Sequence, residues 1–433
     1  MDVGMLAAMS SADVRPTSQA TAVSRDRGDA CPGALRLHAA DDGALARIRV
    51  PGGVLSVRQA EALGEAAGRL GDGELHLTSR GNVQLRGLAD GCGTELAALL
   101  AAAGLLPSAG HERVRNVVAS PLSGLDGRGL RDVRPWLSDL DAAVCASGPA
   151  RELSGRFLFA LDDGRGDVAG LGADVTLRAT GDGGAMLDPG AVRVSARDAP
   201  RAALLAAETF LEAVRESGGG VWRVAELPLP ESVLAERVRH RLTAEGIAGA
   251  PRTEVAAVPV AQGPAPGVVG DALSAHVPLG RLSALQWREL TRVARTELRL
   301  TPWRGVVVPV PDLAPGQRDE SLVRLAAAGL VTDPASPWPR VGACVGRPGC
   351  GKSHADVRAD AADTVDAADA CPLPLYWSGC ERRCGHPHGD RIDVVASADG
   401  GYRLAAVRSG RPTRTVPMSD PDDLAAALAA ITS

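Results

Sequence analysis

The sequence predicts an α+β protein in which one unit of strands and helices occurs twice, each copy followed by a separate domain. Three observations carry this prediction. Pro51-Gly-Gly-Val-Leu-Ser56 is echoed by Pro278-Leu-Gly-Arg-Leu-Ser283. Each hexapeptide leads into a helix-like run, VRQAEALGEAAGRL in the first copy and ALQWRELTRVARTE in the second. Each run then reaches a strand-like segment, Glu74-Leu-His-Leu-Thr78 or Glu297-Leu-Arg-Leu-Thr301. A unit repeated once at so long a spacing is not a solenoid, whose periods are short. Two related halves about a pseudo-twofold axis are expected instead.

Each copy reads strand (ARIRV; SAHVPL), helix, strand, helix, an order that gives a sheet with helices on one face. Ser56 and Ser283 precede the first helices as N-caps, whose hydroxyls accept from unpaired backbone N–H groups. Arg80 and Arg304 follow the second strands as a matched pair, ahead of VQLRGL and VVVPVP. Asn82 and Gln84 alternate with Arg80, which on a strand places all three on one face. The Ala/Leu run from Leu96 to Leu106 is a helix ending at Pro107. Beyond the first copy come His111-Glu-Arg-Val-Arg-Asn116, Leu153-Ser-Gly-Arg156-Phe-Leu-Phe159 and a Gly/Asp-rich turn. The expected layout is a disordered tail (1–28), a half-unit (29–108), a domain (109–252), a second half-unit (253–336) and a cysteine-bearing domain (337–433).

The 433 residues exceed one ordinary domain. A net charge of −5 provides no basic field for nucleic acid, and 3% aromatic residues argue against base-stacking surfaces. No apolar run is long enough to span a membrane. Residues 1–28 are polar and Ala/Ser/Thr-rich, a composition of disorder. Asp2 and the lack of a basic start do not match a secretory signal, so a cytoplasmic location and reduced thiols are expected.

Four cysteines form two close pairs, Cys344-x5-Cys350 and Cys380-x3-Cys384, in the Gly/Pro-rich stretches ACVGRPGC and WSGCERRCGHP. Four thiolates are what a [4Fe–4S] cube needs, one per iron. Zinc is the alternative, but its pairs are usually C-x2–4-C, which the first pair exceeds. Cys31, Cys92, Cys145 and Cys371 show no paired spacing and read as small apolar residues, with Cys371 also near enough the second pair to be an alternative ligand. Gly346-Arg-Pro-Gly-Cys-Gly-Lys352-Ser353 also matches the phosphate-cradling G-x4-G-K-S. That motif needs a strand before it, a helix after it and a parallel sheet around it with an acidic residue for magnesium, for which the remaining eighty residues leave little room. A nucleotide-binding protein with zinc at the cysteines is the reading from a different class.

PGG, LTSRGNVQLRGL, VRNVVASPLSG and the two cysteine pairs together resemble the nitrite and sulfite reductase superfamily, in the same order from about Cys31 to Asp390. The resemblance implies ferredoxin-like half-units and two α/β domains for cofactor and substrate, the fold of those reductases. It implies a [4Fe–4S] cluster on Cys344, Cys350, Cys380 and Cys384, with a siroheme beside it in the reductases. Carried over by motif, the substrate-binding positions are Arg49, His76, Arg80, Asn82, Gln84, Arg115 and Asn116. Arginine suits a polycarboxylate ligand because its planar fork binds carboxylate bidentately. Arg86 lies in the same motif, where a surface role and a binding role are equally open.

The lysine pair that delivers protons in sulfite reductases falls at Arg156 and Leu158, and a leucine cannot donate a proton. ACPGALR, SGRFLFALDDGRGDV and CERRCGHP resemble one branch of the superfamily, the precorrin-3B synthases of cobalamin biosynthesis. There the macrocycle is the substrate. The implied reaction is O2-dependent hydroxylation of precorrin-3A at C20, with a ring A acetate closing a γ-lactone. The implied electron donor is a reduced ferredoxin, a flavoprotein or an NADH-linked reductase. A mononuclear non-haem iron is implied as well. Arg156 and His386 are then the catalytic residues, with His388 the next imidazole. A siroheme-dependent nitrite or sulfite reductase is the alternative.

Overall fold

A computed structural model describes residues 29, 31–251, 262–387, 389–408 and 410–432. The expected disordered tail and His388 lie outside the described residues. The α+β architecture and the duplication are both present. The first half-unit contains strands His38–Ala40, Gly43–Ile48, Leu75–Leu77 and Val83–Leu88 and helices Val57–Leu70 and Gly93–Ala102. The second contains strands Gly267–Val269, Ala272–His276, Glu297–Leu300 and Gly305–Pro309 and helices Ala284–Val293 and Pro315–Ala327.

Each half borrows a strand from the other. Arg281–Leu282 pairs with Leu75–His76, and Val54–Ser56 pairs with Glu297–Arg299, so two five-stranded antiparallel sheets arise in the same strand order. The chain enters each borrowed strand through the PGG or PLG turn. Gly53 and Gly280 both sit at φ 72°, and a Cβ on Gly53 would stand 1.9 Å from the Leu300 carbonyl oxygen. Only glycine tolerates both the left-handed backbone and that approach. Ser56 and Ser283 are N-caps in full capping boxes: Gln59 N and Gln286 N each donate to the serine hydroxyl at 3.2 Å, and each glutamine side chain accepts from the serine N.

The two halves share one core. Leu55, Leu63 and Leu85 of the first pack in the same cluster as Leu282, Leu290 and Leu298 of the second. At the pseudo-twofold axis a large residue meets a small one. Trp287 occupies the place in its helix that Ala60 occupies in the other, and its indole N–H donates to the Ala60 carbonyl at 2.7 Å.

The other two domains each carry a mixed sheet. In the first, Val117–Ala119, Phe159–Asp162 and Val175–Ala179 run parallel, and Ala185–Asp188, Val192–Val194 and Gly249–Pro251 continue antiparallel. Helices Arg134–Ala146 and Ala199–Glu216 bury Leu140 and Phe210 against this sheet. In the C-terminal domain Val341–Ala343, Leu375–Ser378 and Arg391–Ala396 are parallel, followed by antiparallel Tyr402–Arg408 and Arg411–Met418. Among the described residues no helix is long and apolar enough to cross a membrane.

The repeat differs from expectation in one respect. The segment from Leu75 to Leu88 is a hairpin, with a turn at Thr78–Gly81, rather than a strand carrying Arg80, Asn82 and Gln84 on one face. The turn also corrects the pairing of Arg80 with Arg304. Gly81 N donates to Thr78 O and Arg304 N to Thr301 O, each at 3.2 Å, so Arg304 holds the left-handed place of Gly81. Trp303 therefore stands where the first half has Arg80.

Truncating Trp287 to alanine removes the contact that seats one half on the other. We expect a loss of about 3–5 kcal/mol in unfolding free energy, read as a fall in urea midpoint; an unchanged midpoint would contradict this role.

Candidate functional site

The two cysteine loops leave the same ends of neighbouring parallel strands, Val341–Ala343 and Leu375–Ser378, and this brings them together. Cys344 N donates to Trp377 O at 2.9 Å, and Gly379 N donates to the Cys344 sulfur at 3.2 Å. Gly379 must be glycine, because a Cβ there would meet the Ser353 hydroxyl at 1.8 Å. The Tyr376 hydroxyl donates to Cys384 O at 2.6 Å and pins the second loop. Burial pushes the Cys384 thiol above its ordinary value; Arg382 opposes this, and Cys344, Cys380 and Cys350 add to it. The two cysteine loops therefore lie side by side.

Among the described residues no three of these sulfurs lie within 4.8 Å of one another. A tetrahedral zinc ion holds its sulfurs about 3.8 Å apart, whereas a cube takes one thiolate at each of four separate irons. The donor set suits a multi-iron cluster. Cys371 is buried in the C-terminal core, away from ligand duty. Cys31, Cys92 and Cys145 are only half-buried, so the expectation of small core residues fails for them.

The first cysteine loop is clasped by the first half-unit. Arg86 binds Asp42 through two 2.7 Å hydrogen bonds and donates to Gly349 O at 2.8 Å, and Asp41 accepts from Gly351 N at 2.6 Å. Arg86 thus joins two domains. The same loop is not a phosphate cradle. Its helix opens at Val357, beyond Lys352, and the buried Ser353 hydroxyl donates to Ala355 O at 2.7 Å. The helix start decides this, since the C-terminal domain does hold a sheet with three parallel strands.

A second feature is a concentration of arginine. Arg49 is buried, donating to Arg113 O and Gly155 O at 3.1 Å and to the Cys31 sulfur at 3.3 Å. Arg47, two residues earlier on the same strand face, donates to Cys31 and Gln84, and its buried Nε has no partner. Arg80 donates to Arg156 O at 3.0 Å. Its pKa is pushed down to about 10, by burial first and then by the charges of Arg223 and Arg49. Arg223 donates to Asp174 at 2.6 Å, and Arg156 lies 4.7 Å over the Trp222 ring. Asp174 is the carboxylate that acts on Arg80. So many guanidinium groups around so little negative charge make a site for a polyanion. Leu158 is buried beside it with Val118, Ala160 and Val168, and its N donates to Asp174 at 2.8 Å.

Residues 38–103 match the model of the nitrite/sulfite reductase ferredoxin-like half domain. A precorrin-3B synthase from Sinorhizobium sp is 26% identical over 423 residues, covering 94% of this chain and 89% of that one. The ferredoxin–nitrite reductase of Synechococcus elongatus is 29% identical over 400 residues, covering 82% and 76%. The solved structure of the Mycobacterium tuberculosis NirA protein superposes with a TM-score of 0.64 at 19% identity, over 88% of this chain and 79% of that one. The chain has the nitrite/sulfite reductase-like fold, with its ferredoxin-like half domain. The family model covers only one of the two half domains, and the second is recognised by its fold.

Several positions carried over from the superfamily serve the scaffold here, which corrects the expectation for them. Arg115 is buried and bidentate to Asp141 at 2.8 and 2.7 Å, with a further bond to Leu105 O, so its charge is already neutralised. Asn82 and Asn116 are buried and hydrogen-bonded to each other, to Val50 N and to Phe157 O. Gln84 accepts from Arg47. His386 is exposed, and its ring faces the Pro387 carbonyl at 3.0 Å. His76 lies 3.6 Å from Asp72 and 3.9 Å from Glu74, a set that resembles a cation site. However, Arg358 faces the other ring nitrogen at 3.3 Å and Arg281 binds Glu74. A donor at Nδ1 leaves the ring proton on Nε2, so the trio does not fit a mononuclear iron. Arg47, Trp222 and Arg223 were missing from the sequence reading. Arg47 could have been found from its alternation with Arg49, whereas Trp222 and Arg223 lie in no motif.

Arg115→Ala leaves the partly exposed Asp141 without its partner. We expect a loss of about 1–3 kcal/mol in stability, largely recovered in an Arg115→Met, Asp141→Leu double variant, measured by chemical denaturation.

Proposed function

We propose that this chain is an O2-dependent monooxygenase acting on a tetrapyrrole polycarboxylate, with the activity of a precorrin-3B synthase. The observation that carries this reading is the weakly compensated arginine group of Arg47, Arg49, Arg80, Arg156 and Arg223. A ring of carboxylates on precorrin-3A offers the matching charge. Arg80 and Arg156 would bind it directly, Arg223 shares its charge with Asp174, and Arg47 and Arg49 would act as fixed charge.

In this reading one atom of O2 enters precorrin-3A at C20, the other leaves as water, and two electrons and two protons are consumed. The ring A acetate then closes the γ-lactone. Cys344, Cys350, Cys380 and Cys384 would hold a [4Fe–4S] cluster, which supplies electrons singly when bound. A reduced ferredoxin, a flavoprotein or an NADH-linked reductase would feed it. Leu158 supports hydroxylation over sulfite reduction. A positioned acid typically contributes about 10²–10⁴-fold to a proton-transfer step, and leucine supplies none.

A siroheme-dependent nitrite or sulfite reductase is the second reading, favoured by the likeness to the Synechococcus elongatus enzyme. Anaerobic purification followed by addition of precorrin-3A and ¹⁸O₂ separates the two. The first reading requires a product with one labelled oxygen at C20. Tightly bound siroheme, efficient sulfite or nitrite reduction and no product from precorrin-3A would establish the second.

Replacing Arg80 with alanine should weaken precorrin-3A binding by roughly tenfold to a hundredfold, measured by fluorescence titration. Equal affinity in the variant removes Arg80 from the site. Replacing Cys344 with alanine should lower the iron content and abolish the reduced cluster's EPR signal, because metal binding and folding are coupled. Four irons and an unchanged spectrum would exclude Cys344 as a ligand.

A further inference from the structure

The pseudo-twofold axis carries the arginine-lined face of the first half onto a second face with different chemistry. Aligning the PGG and PLG turns places Ser274 where the first half has Arg47, and His276 where it has Arg49. The sheet registers agree: Arg47 pairs with Gln84, and Ser274 pairs with Val307. Trp303 replaces Arg80, as the turn hydrogen bonds show. Each exchange removes charge or polarity.

These residues border a cavity of about 250 Å³. His276, Ser274 and Trp303 line it, and Pro264, Pro266, Pro334 and Pro339 contribute to its apolar lining. His276 is 8% exposed and its Nε2 has no hydrogen-bond partner. Its ring is hydrogen-bonded to the Trp303 backbone, which leaves Nε2 as the free nitrogen. Burial, reinforced by the charge of Arg304, lowers its pKa to about 4, so the imidazole is neutral at pH 7 and Nε2 is an acceptor. Arg340 also reaches the cavity, but its guanidinium is taken up by Cys371 O and Asp369, each at 3.0 Å. A buried acceptor left unpaired is unfavourable, and a ligand N–H or O–H relieves it.

We propose that this cavity is a second binding site, for a small uncharged planar heteroaromatic molecule that stacks on Trp303 and donates one hydrogen bond to His276 Nε2. The lining supports that class. It offers no free cation for a carboxylate and no carboxylate for an amine, while an indole wall and proline rings accept a flat apolar face. The proposal does not rest on tetrapyrrole binding or on a cluster at the cysteines.

Indole and N-methylindole test it as probes, because they share shape and differ in the single N–H. Calorimetric titration of the full chain should show one indole bound per chain. N-methylindole should bind about threefold to tenfold more weakly, the contribution of one hydrogen bond. His276→Ala should erase that difference between the probes, and Trp303→Ala should weaken both. Absence of indole binding, equal affinity of the wild-type protein for both probes, or an unchanged preference in His276→Ala would overturn the proposal. The probe comparison in the wild-type protein stands even if a variant fails to fold.

Discussion

Everything in this molecule depends on the exchange of two very short strands. Val54–Ser56 and Arg281–Leu282 are too short to be stable alone, and each completes the sheet of the opposite half. Neither half has a finished sheet, or a finished core, without the other. The exchange fixes the pseudo-twofold axis, and the axis determines where the arginine-bearing face and its counterpart in the second half point. It also seats the cysteine domain. Leu279, in the PLG turn of the second half, is buried in the core of that domain, while Asp41 and Arg86 of the first half hold its cysteine loop. A cluster at those cysteines would be held by both halves at once.

Duplication followed by divergence explains the asymmetry of the two faces. The backbone frame is kept closely enough that the same turn hydrogen bonds recur at the same lengths. The side chains on that frame have gone separate ways, towards arginine in one half and towards Ser274, His276 and Trp303 in the other. A tetrapyrrole with its carboxylates can be attracted to only one of these surfaces. Coulombic attraction of this kind is long-ranged, so the first face would also guide the approach of a polyanionic ligand.

Local features were legible in the sequence and non-local ones were not. The capping boxes at Ser56 and Ser283 need four residues each, all adjacent, and the sequence displays them. The strand exchange could not be read, because two or three residues carry no periodicity and their partners are some two hundred residues away. The Thr78–Gly81 turn was hidden for a different reason. Arg80 and Arg304 match by residue type, but the chain path matches Arg304 with Gly81, which only the backbone torsions reveal. At the site, the two cysteine pairs were visible in the sequence, and the structure sets both at the ends of neighbouring strands. The arginines announced only their charge. Whether a charge is free depends on counter-ions such as Asp141 for Arg115 and Asp42 for Arg86, and these come from elements that no motif connects.

The strand exchange also has a consequence for synthesis. Glu74 and Arg281, neighbours in the folded sheet, are 207 residues apart in the chain. At roughly 5–20 residues per second, about 10–40 seconds pass between emergence of the Leu75–Leu77 edge and arrival of the strand that covers it. During that interval the nascent chain presents an unpaired sheet edge beside leucines meant for a shared core, a template for pairing with other chains. Growth temperature, translation speed and chaperone supply should therefore govern the yield of soluble protein more strongly than the stability of the finished fold.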